Sequence, residues 1–342
     1  MTGAKSAVTG ETAESAEVLR ADGLTKVFRA RSGRTVPAVR NVSLELNEGR
    51  VVALVGESGS GKSTVARLLA GLHLPTSGRV LFRGEPVHLK GGVARRKYAR
   101  RVQIVLQDPF SSLNSAYSVQ HHLARPLLLH KGSTSLHRGE ILERSAHLLE
   151  EVNLVPGAEY LRRYPHELSG GQRQRVSIAR ALAAGPEVLL ADEPVSMLDV
   201  SIRLGILRLL AGLTEQRRLG LLYVTHDIAT ARYFSHEIAV MYAGEVVETG
   251  PAEAVTRRPA HPYTQLLISA VPDPGRRVWV PFPEIAVEEL GHMGGEQPAC
   301  RFAPRCPFAQ SRCHEVEAPQ VQVSDGHWAK CWHVASGDEV TT

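Results

Sequence analysis

The sequence predicts an α/β fold built on a parallel β-sheet, with a small antiparallel β subdomain, an inserted helical subdomain and a small irregular cysteine-containing extension at the end. Three observations carry this expectation. Apolar runs of strand length alternate with helix-periodic segments through most of the chain. One such run, Arg50 to Val55, leads through a glycine-rich loop into a helical pattern. All four cysteines fall from Cys300 onward, where proline and glycine are dense and periodicity fades.

The elements follow in order. Met1 to Ala16 is rich in Thr, Ser, Ala, Gly and Glu and has neither a basic leader nor an apolar segment, so residues 1–16 read as a disordered tail rather than a signal peptide. Val18 to Phe28 mixes β-branched and polar residues, and Val42 to Leu46 alternates apolar with polar. Both suit strands of the antiparallel sheet. Arg50 to Val55 is apolar enough for a strand buried on both faces, and Lys62 to Ala70 continues as a helix. Gln120 to Leu161 keeps helical periodicity without strand signals, most clearly over Ile141 to Val152. Strand-like runs return at Glu187 to Leu190 and Leu221 to Val224. A boundary is placed after Val255, giving a main domain over residues 17–255 and an extension over 256–342, with no internal repeat.

With 342 residues and 43% hydrophobic content the chain can bury a full core. None of its apolar stretches approaches the roughly 20 residues of a membrane-spanning helix. With no leader, a cytosolic chain is expected, and any attachment to a membrane must come from binding other subunits. The net charge of +5 is mild. Its densest source, Arg95, Arg96, Lys97, Arg100 and Arg101, reads as a solvated helix face. A nucleic-acid partner is disfavoured, because Tyr98 is the only aromatic among these charges.

Gly56-Glu57-Ser58-Gly59-Ser60-Gly61-Lys62-Ser63 matches G-x-x-x-x-G-K-[ST], and it has the required strand before and helix after. The glycines let backbone N–H groups curl around a phosphate chain at a helix N-terminus, with Thr64 following in the first turn. Lys62 supplies a point charge near the β- and γ-phosphates, and Ser63 offers a hydroxyl to Mg²⁺. The core is therefore expected to be a P-loop NTPase sheet that takes a nucleoside triphosphate. Val188 to Glu193 is an apolar strand ending in two carboxylates. Asp192 stands where such an enzyme holds Mg²⁺, and Glu193 where a carboxylate orients the attacking water. Ser169-Gly170-Gly171-Gln172 opens another helix, a second anion-binding N-terminus capped by Ser169.

Leu168 to Arg175 reads LSGGQRQR, and with the motifs above the chain resembles the ABC ATPases from about Val18 to Val255. The resemblance implies further roles. Phe28 is similar to the aromatic that stacks on adenine. Gln107, in Val105 to Pro109, resembles the glutamine that touches Mg²⁺ and couples to membrane subunits. Ser196 to Asp199 resembles the D-loop, with Met197 where Ala is commoner. His226 matches the switch histidine at the γ-phosphate. It also implies that Ser169 to Gln172 act on ATP held by a second subunit, with Lys62, Glu193 and His226 as the catalytic set.

His261 to Pro272, QDPFSSLN over residues 107–114 and YPHELSGGQRQR over residues 164–175 resemble the oligopeptide/dipeptide-importer branch. That branch implies an importer with a second ATPase subunit, a heterodimer being favoured, two permeases and an extracytoplasmic solute-binding protein. Its cargo is expected to be peptide, with nickel, glutathione or oligosaccharide as alternatives, and a non-transport ABC ATPase is the rival class. Cys300, Cys306, Cys313 and Cys331 are separated by five, six and seventeen residues and lack the C-x-x-C knuckle of structural zinc. Disulfides are disfavoured in a cytosolic chain. The branch implies a [4Fe–4S] cluster on these four, with Zn²⁺ or unligated thiols as the alternatives.

Overall fold

The computed structural model describes residues 16–29, 33, 35–108, 112–130, 137–271 and 298–336. The tail expected over residues 1–16 lies, but for Ala16, outside them, as do residues 109–111 of the QDPFSSLN segment and Pro272.

In chain order the strands are β1 (Glu17–Arg29), β2 (Thr35–Asn47), β3 (Val51–Val55), β4 (Ser77–Phe82), β5 (Glu85–Pro86), β6 (Val102–Val105), β7 (Val188–Asp192), β8 (Gly220–Thr225), β9 (Glu237–Tyr242), β10 (Glu245–Pro251), β11 (Gln320–Ser324) and β12 (His327–Lys330). The helices are α1 (Lys62–Leu69), α2 (Gly92–Arg101), α3 (Val119–His130), α4 (Arg138–Glu151), α5 (Gly157–Tyr160), α6 (Gly170–Leu182), α7 (Val200–Arg217), α8 (Ile228–Phe234), α9 (Ala252–Arg257), α10 (Pro262–Ser269), α11 (Ser311–Glu315) and α12 (Trp332–Ala335).

Two sheets organise them. The smaller has the order β2-β1-β4-β5 and is antiparallel. The larger runs β11-β12-β10-β9-β3-β8-β7-β6. Its middle, β9-β3-β8-β7-β6, is parallel. Every residue of β3, β7 and β8 is buried, which is why these segments read as unbroken apolar runs. The period of two shows instead in which core each side chain joins. Val51, Ala53, Val55, Leu221 and Tyr223 enter the core shared with the helical segment, and Val52, Leu54, Leu222 and Val224 the core shared with α1 and the antiparallel sheet.

Helices α3 to α6 are inserted between β6 and β7, two strands that pair directly. Their apolar residues, among them Leu123, Leu149, Val152 and Ile178, close on the first core. The basic run lies on α2 with Tyr98 as its one buried member, so its charges form a solvated face.

The described part of the extension is less irregular than the sequence suggests. The β11–β12 hairpin joins the main sheet, β12 running antiparallel to β10. Alternation was hard to see here because β11 is a largely exposed edge strand. Buried Glu248 on β10 fastens this region. It accepts the backbone N–H groups of Ala260 at 2.9 Å and His261 at 2.8 Å, and His327 Nε2 stands 2.7 Å from it. Beside it Tyr242, Tyr263 and Phe302 pack ring on ring, with centroids 4.6 to 5.5 Å apart.

Candidate active site

Four neighbouring strands of the main sheet deliver the predicted residues to one edge. Leaving β3, the chain forms the loop Gly56 to Gly61. Asp192 and Glu193 end β7, His226 follows β8 and Gln107 follows β6. These are the carboxyl ends of parallel strands, where α/β sheets gather their ligands.

The loop is held by close approaches that only glycine permits. A Cβ at Gly56 would lie 2.1 Å from the Met241 carbonyl oxygen, and Gly61, at φ +106, would meet the Ala38 carbonyl at 2.3 Å. Lys62 is 4% exposed, and its ammonium donates to the carbonyls of Gly56 at 2.8 Å and Glu57 at 2.7 Å. Burial holds its pKa below the ordinary value, against the opposing pull of Glu193, Asp192 and Glu57. Ser63 Oγ donates to Asp192 Oδ1 at 2.8 Å. Burial raises the Asp192 carboxyl, and the Ser63 hydrogen bond offsets part of that rise. Ser60 Oγ is buried without a partner in the same loop.

Glu193 occupies the left-handed region at φ 46, a conformation that costs a non-glycine residue roughly 1 kcal/mol. Its N–H donates to the Val224 carbonyl at 3.0 Å, tying this turn to β8. Gln107 Nε2 donates to Glu193 Oε2 at 3.1 Å, and His226 Nδ1 lies 3.6 Å from Oε1. The site thus holds a cation (Lys62), a hydroxyl–carboxylate pair suited to a hydrated Mg²⁺, and a carboxylate steadied from both sides.

Phe28 is half-buried on β1, edge-on to His73 at 5.6 Å, with Lys26 Nζ 5.2 Å from its ring centre. It pairs across the sheet with Val36, two residues from the Ala38 that abuts Gly61. Ser169 caps α6 and exchanges hydrogen bonds with Gln172 in a closed capping box, at 3.3 and 3.0 Å. Gly170 and Gly171 sit against Leu198 and Ile202, at and just past the Ser196 to Asp199 turn.

The profile described as "ABC transporter" matches residues 39–196, and that described as "Oligopeptide/dipeptide transporter, C-terminal region" matches residues 247–313. The di/tripeptide transport ATP-binding protein of Pseudomonas aeruginosa is 39% identical over 326 residues, spanning 92% of this chain and 97% of that protein. This chain belongs to the ABC transporter ATP-binding family. The dipeptide transport ATP-binding protein of Haemophilus influenzae is 36% identical over 339 residues, covering 96% of this chain and all of its own length. Among solved structures, a dimeric ATP-binding cassette in a post-hydrolysis state with ADP and phosphate superposes with TM-score 0.62 at 31% identity, covering 68% of this chain and 98% of the other. As a member of this family, the chain is an ATPase with the cassette fold.

Among the described residues no group of three or more His, Cys, Asp or Glu side chains is arranged to hold a metal ion. No disulfide joins the four cysteines. They line one small cavity with Phe302, Phe308 and Trp332 but do not converge on a single point. Burial raises the thiols of Cys300, Cys306 and Cys331, with Cys306 pushed up to about 12.

Two residues beside the Gly56 to Gly61 loop escaped the sequence reading. Tyr263 OH accepts the Glu57 N–H at 2.9 Å, and Arg305 pairs with the Glu57 carboxylate. They lie 206 and 248 positions away in sequence, and no spacing pattern links them to the loop.

Proposed function

We propose that this ATPase powers a peptide importer, as one half of a two-cassette sandwich docked on the inner face of a membrane. The observation that carries this reading is the division of the site. Lys62, Ser63, Asp192, Glu193, Gln107 and His226 gather at one sheet edge, while Ser169 to Gln172 cap a different helix and bond to one another. A second cassette would bring its own capped helix over the phosphates held here. The peptide cargo is supported by the match to the oligopeptide/dipeptide C-terminal region and by the two peptide-transporting relatives.

In this reading Phe28 stacks on adenine and the loop Gly56 to Thr64 wraps the phosphates. Lys62 exchanges its loop carbonyls for phosphate oxygens. Ser63 and Asp192, with Gln107, are the residues that would hold Mg²⁺, which when bound neutralises phosphate charge. Glu193 accepts a hydrogen bond from the attacking water and orients it in line with the γ-phosphate, and His226 donates to the γ-phosphate oxygens. The backbone turn at Glu193 aims the carboxylate, and Gln107 keeps it from swinging. The products are ADP and phosphate.

The partners we propose are a second, different ATPase subunit, two permeases and an extracytoplasmic solute-binding protein. No helix among the described residues is long and apolar enough to cross a membrane, which suits peripheral attachment through the permeases. For the four thiols we propose ligation of one cysteine-held group, a [4Fe–4S] cluster in preference to Zn²⁺. Four sulfurs around one cavity are the donor set such a group takes, and a multi-iron cluster keeps its thiolates farther apart than a single ion does. It would act as a cross-link within the extension. Iron and acid-labile sulfide in anaerobically purified protein would support the cluster, and their absence would remove it.

The decisive experiment is affinity capture of this chain from its native membranes in mild detergent. Two polytopic permeases and a second ATPase are the expected partners, together with a solute-binding protein whose cargo can then be screened. Recovery of ribosomes or nucleic acid without membrane proteins would overturn the importer reading.

A further inference from the structure

The phosphate loop carries an unfavourable charge for its task. Glu57 is its second residue, and a carboxylate beside a polyphosphate repels it. The Arg305 guanidinium meets this carboxylate as a two-point fork, Nη1 to Oε2 and Nη2 to Oε1, both at 3.1 Å. Glu57 also acts electrostatically on Lys62, whose ammonium the phosphates need.

Arg305 is well placed for this. It ends the short turn Ala303–Arg305, anchored by Phe302, which is 1% exposed against Tyr242 and Tyr263. Its guanidinium lies 5.8 Å from the ring centres of both Tyr242 and Phe302. Tyr263, from α10, holds the Glu57 backbone by accepting its N–H. The extension therefore grips one residue of the nucleotide loop twice, by backbone and by side chain.

We propose that Arg305 is a positioning residue for ATP binding: it neutralises and holds aside the Glu57 carboxylate, so that the C-terminal extension sets the affinity of the phosphate loop. This rests on Gly56 to Ser63 being the phosphate cradle. Once Arg305 is removed, the unpaired carboxylate competes with the phosphates for Lys62 and repels them. The effect grows with phosphate charge, so ATP feels it and AMP, which lacks the β- and γ-phosphates, does not.

The test is calorimetric titration of the full-length chain with MgATP and with AMP. Arg305→Ala is expected to raise the Kd for ATP about three- to tenfold, the range of one partly screened charge at close quarters, and to leave AMP unchanged. Arg305→Lys is expected to restore part of the loss, and Glu57→Gln in the Arg305→Ala background most of it. Unchanged tryptophan emission in each variant reports an intact extension. The proposal is overturned if Arg305→Ala binds ATP like the parent, or if the double variant is as weak as Arg305→Ala, since Arg305 would then be only a structural fastening. Parental ATP binding by Lys62→Ala would instead overturn the cradle reading beneath it.

Discussion

Acidification should loosen the extension through His261. This histidine caps α10, its Nδ1 accepting the Tyr263 N–H at 3.0 Å, and it is 1% exposed. Burial pushes its pKa down from 6.5 to about 4, with Glu248 opposing. The folded chain thus keeps the ring neutral where the unfolded chain would protonate it. Stability is full above about pH 6.5 and falls as the pH drops toward 4, because the unfolded state binds the extra proton. From pH 7.5 to pH 5.0 these two pKa values give a loss of about 2 kcal/mol. All three tryptophans, Trp279, Trp328 and Trp332, belong to the extension, so urea unfolding followed by their emission reports on this region. The comparison is with His261→Asn, which keeps a capping acceptor but cannot titrate. Its free energy should change between the two pH values by about 2 kcal/mol less than the parent's. Parallel losses in the two proteins would refute the assignment of a neutral, buried His261.

Other expectations concern the nucleotide site. Glu193→Gln should retain ATP binding and lose about 10²- to 10⁴-fold in turnover, the range for a positioned base, and it should accumulate as a dimer by light scattering. Near-parental hydrolysis would remove Glu193 from that role. Gly56→Ala puts a methyl 2.1 Å from the Met241 carbonyl, so denaturant unfolding should show a loss of about 1–3 kcal/mol from overpacking, with weakened ATP binding. Ser169→Ala removes the α6 cap and should destabilise by about 1 kcal/mol. Mixed with a Glu193→Gln partner, it should also weaken ATP-driven dimerisation.

Much of the site was legible because it is written in contiguous motifs. Lys62 and Ser63 share a loop with the glycines that shape it, and Asp192 and Glu193 end an apolar strand. A local pattern therefore carries both the residue types and the turn that presents them. Strand β3 was legible as buried, and β7 and β8 as strands, for a similar reason, since a strand covered on both faces reads as a near-continuous apolar run. The extension was harder. Its hairpin is short and edge-like, and its role in the main sheet depends on pairing with β10.

The sequence by itself determined the α/β class, the glycine-rich turn from Gly56 to Gly61, the acidic end of β7 and the capped start of α6 at Ser169, because each rests on interactions among residues close along the chain. Only the tertiary structure decided which residues steady Glu193, how the four thiols surround one cavity without meeting at a point, and that Arg305 and Tyr263 reach back to Glu57. Those contacts join segments dozens to hundreds of residues apart. Their geometry is set by how the sheet orders its strands and by the aromatic packing of Tyr242, Tyr263 and Phe302, which no local pattern encodes.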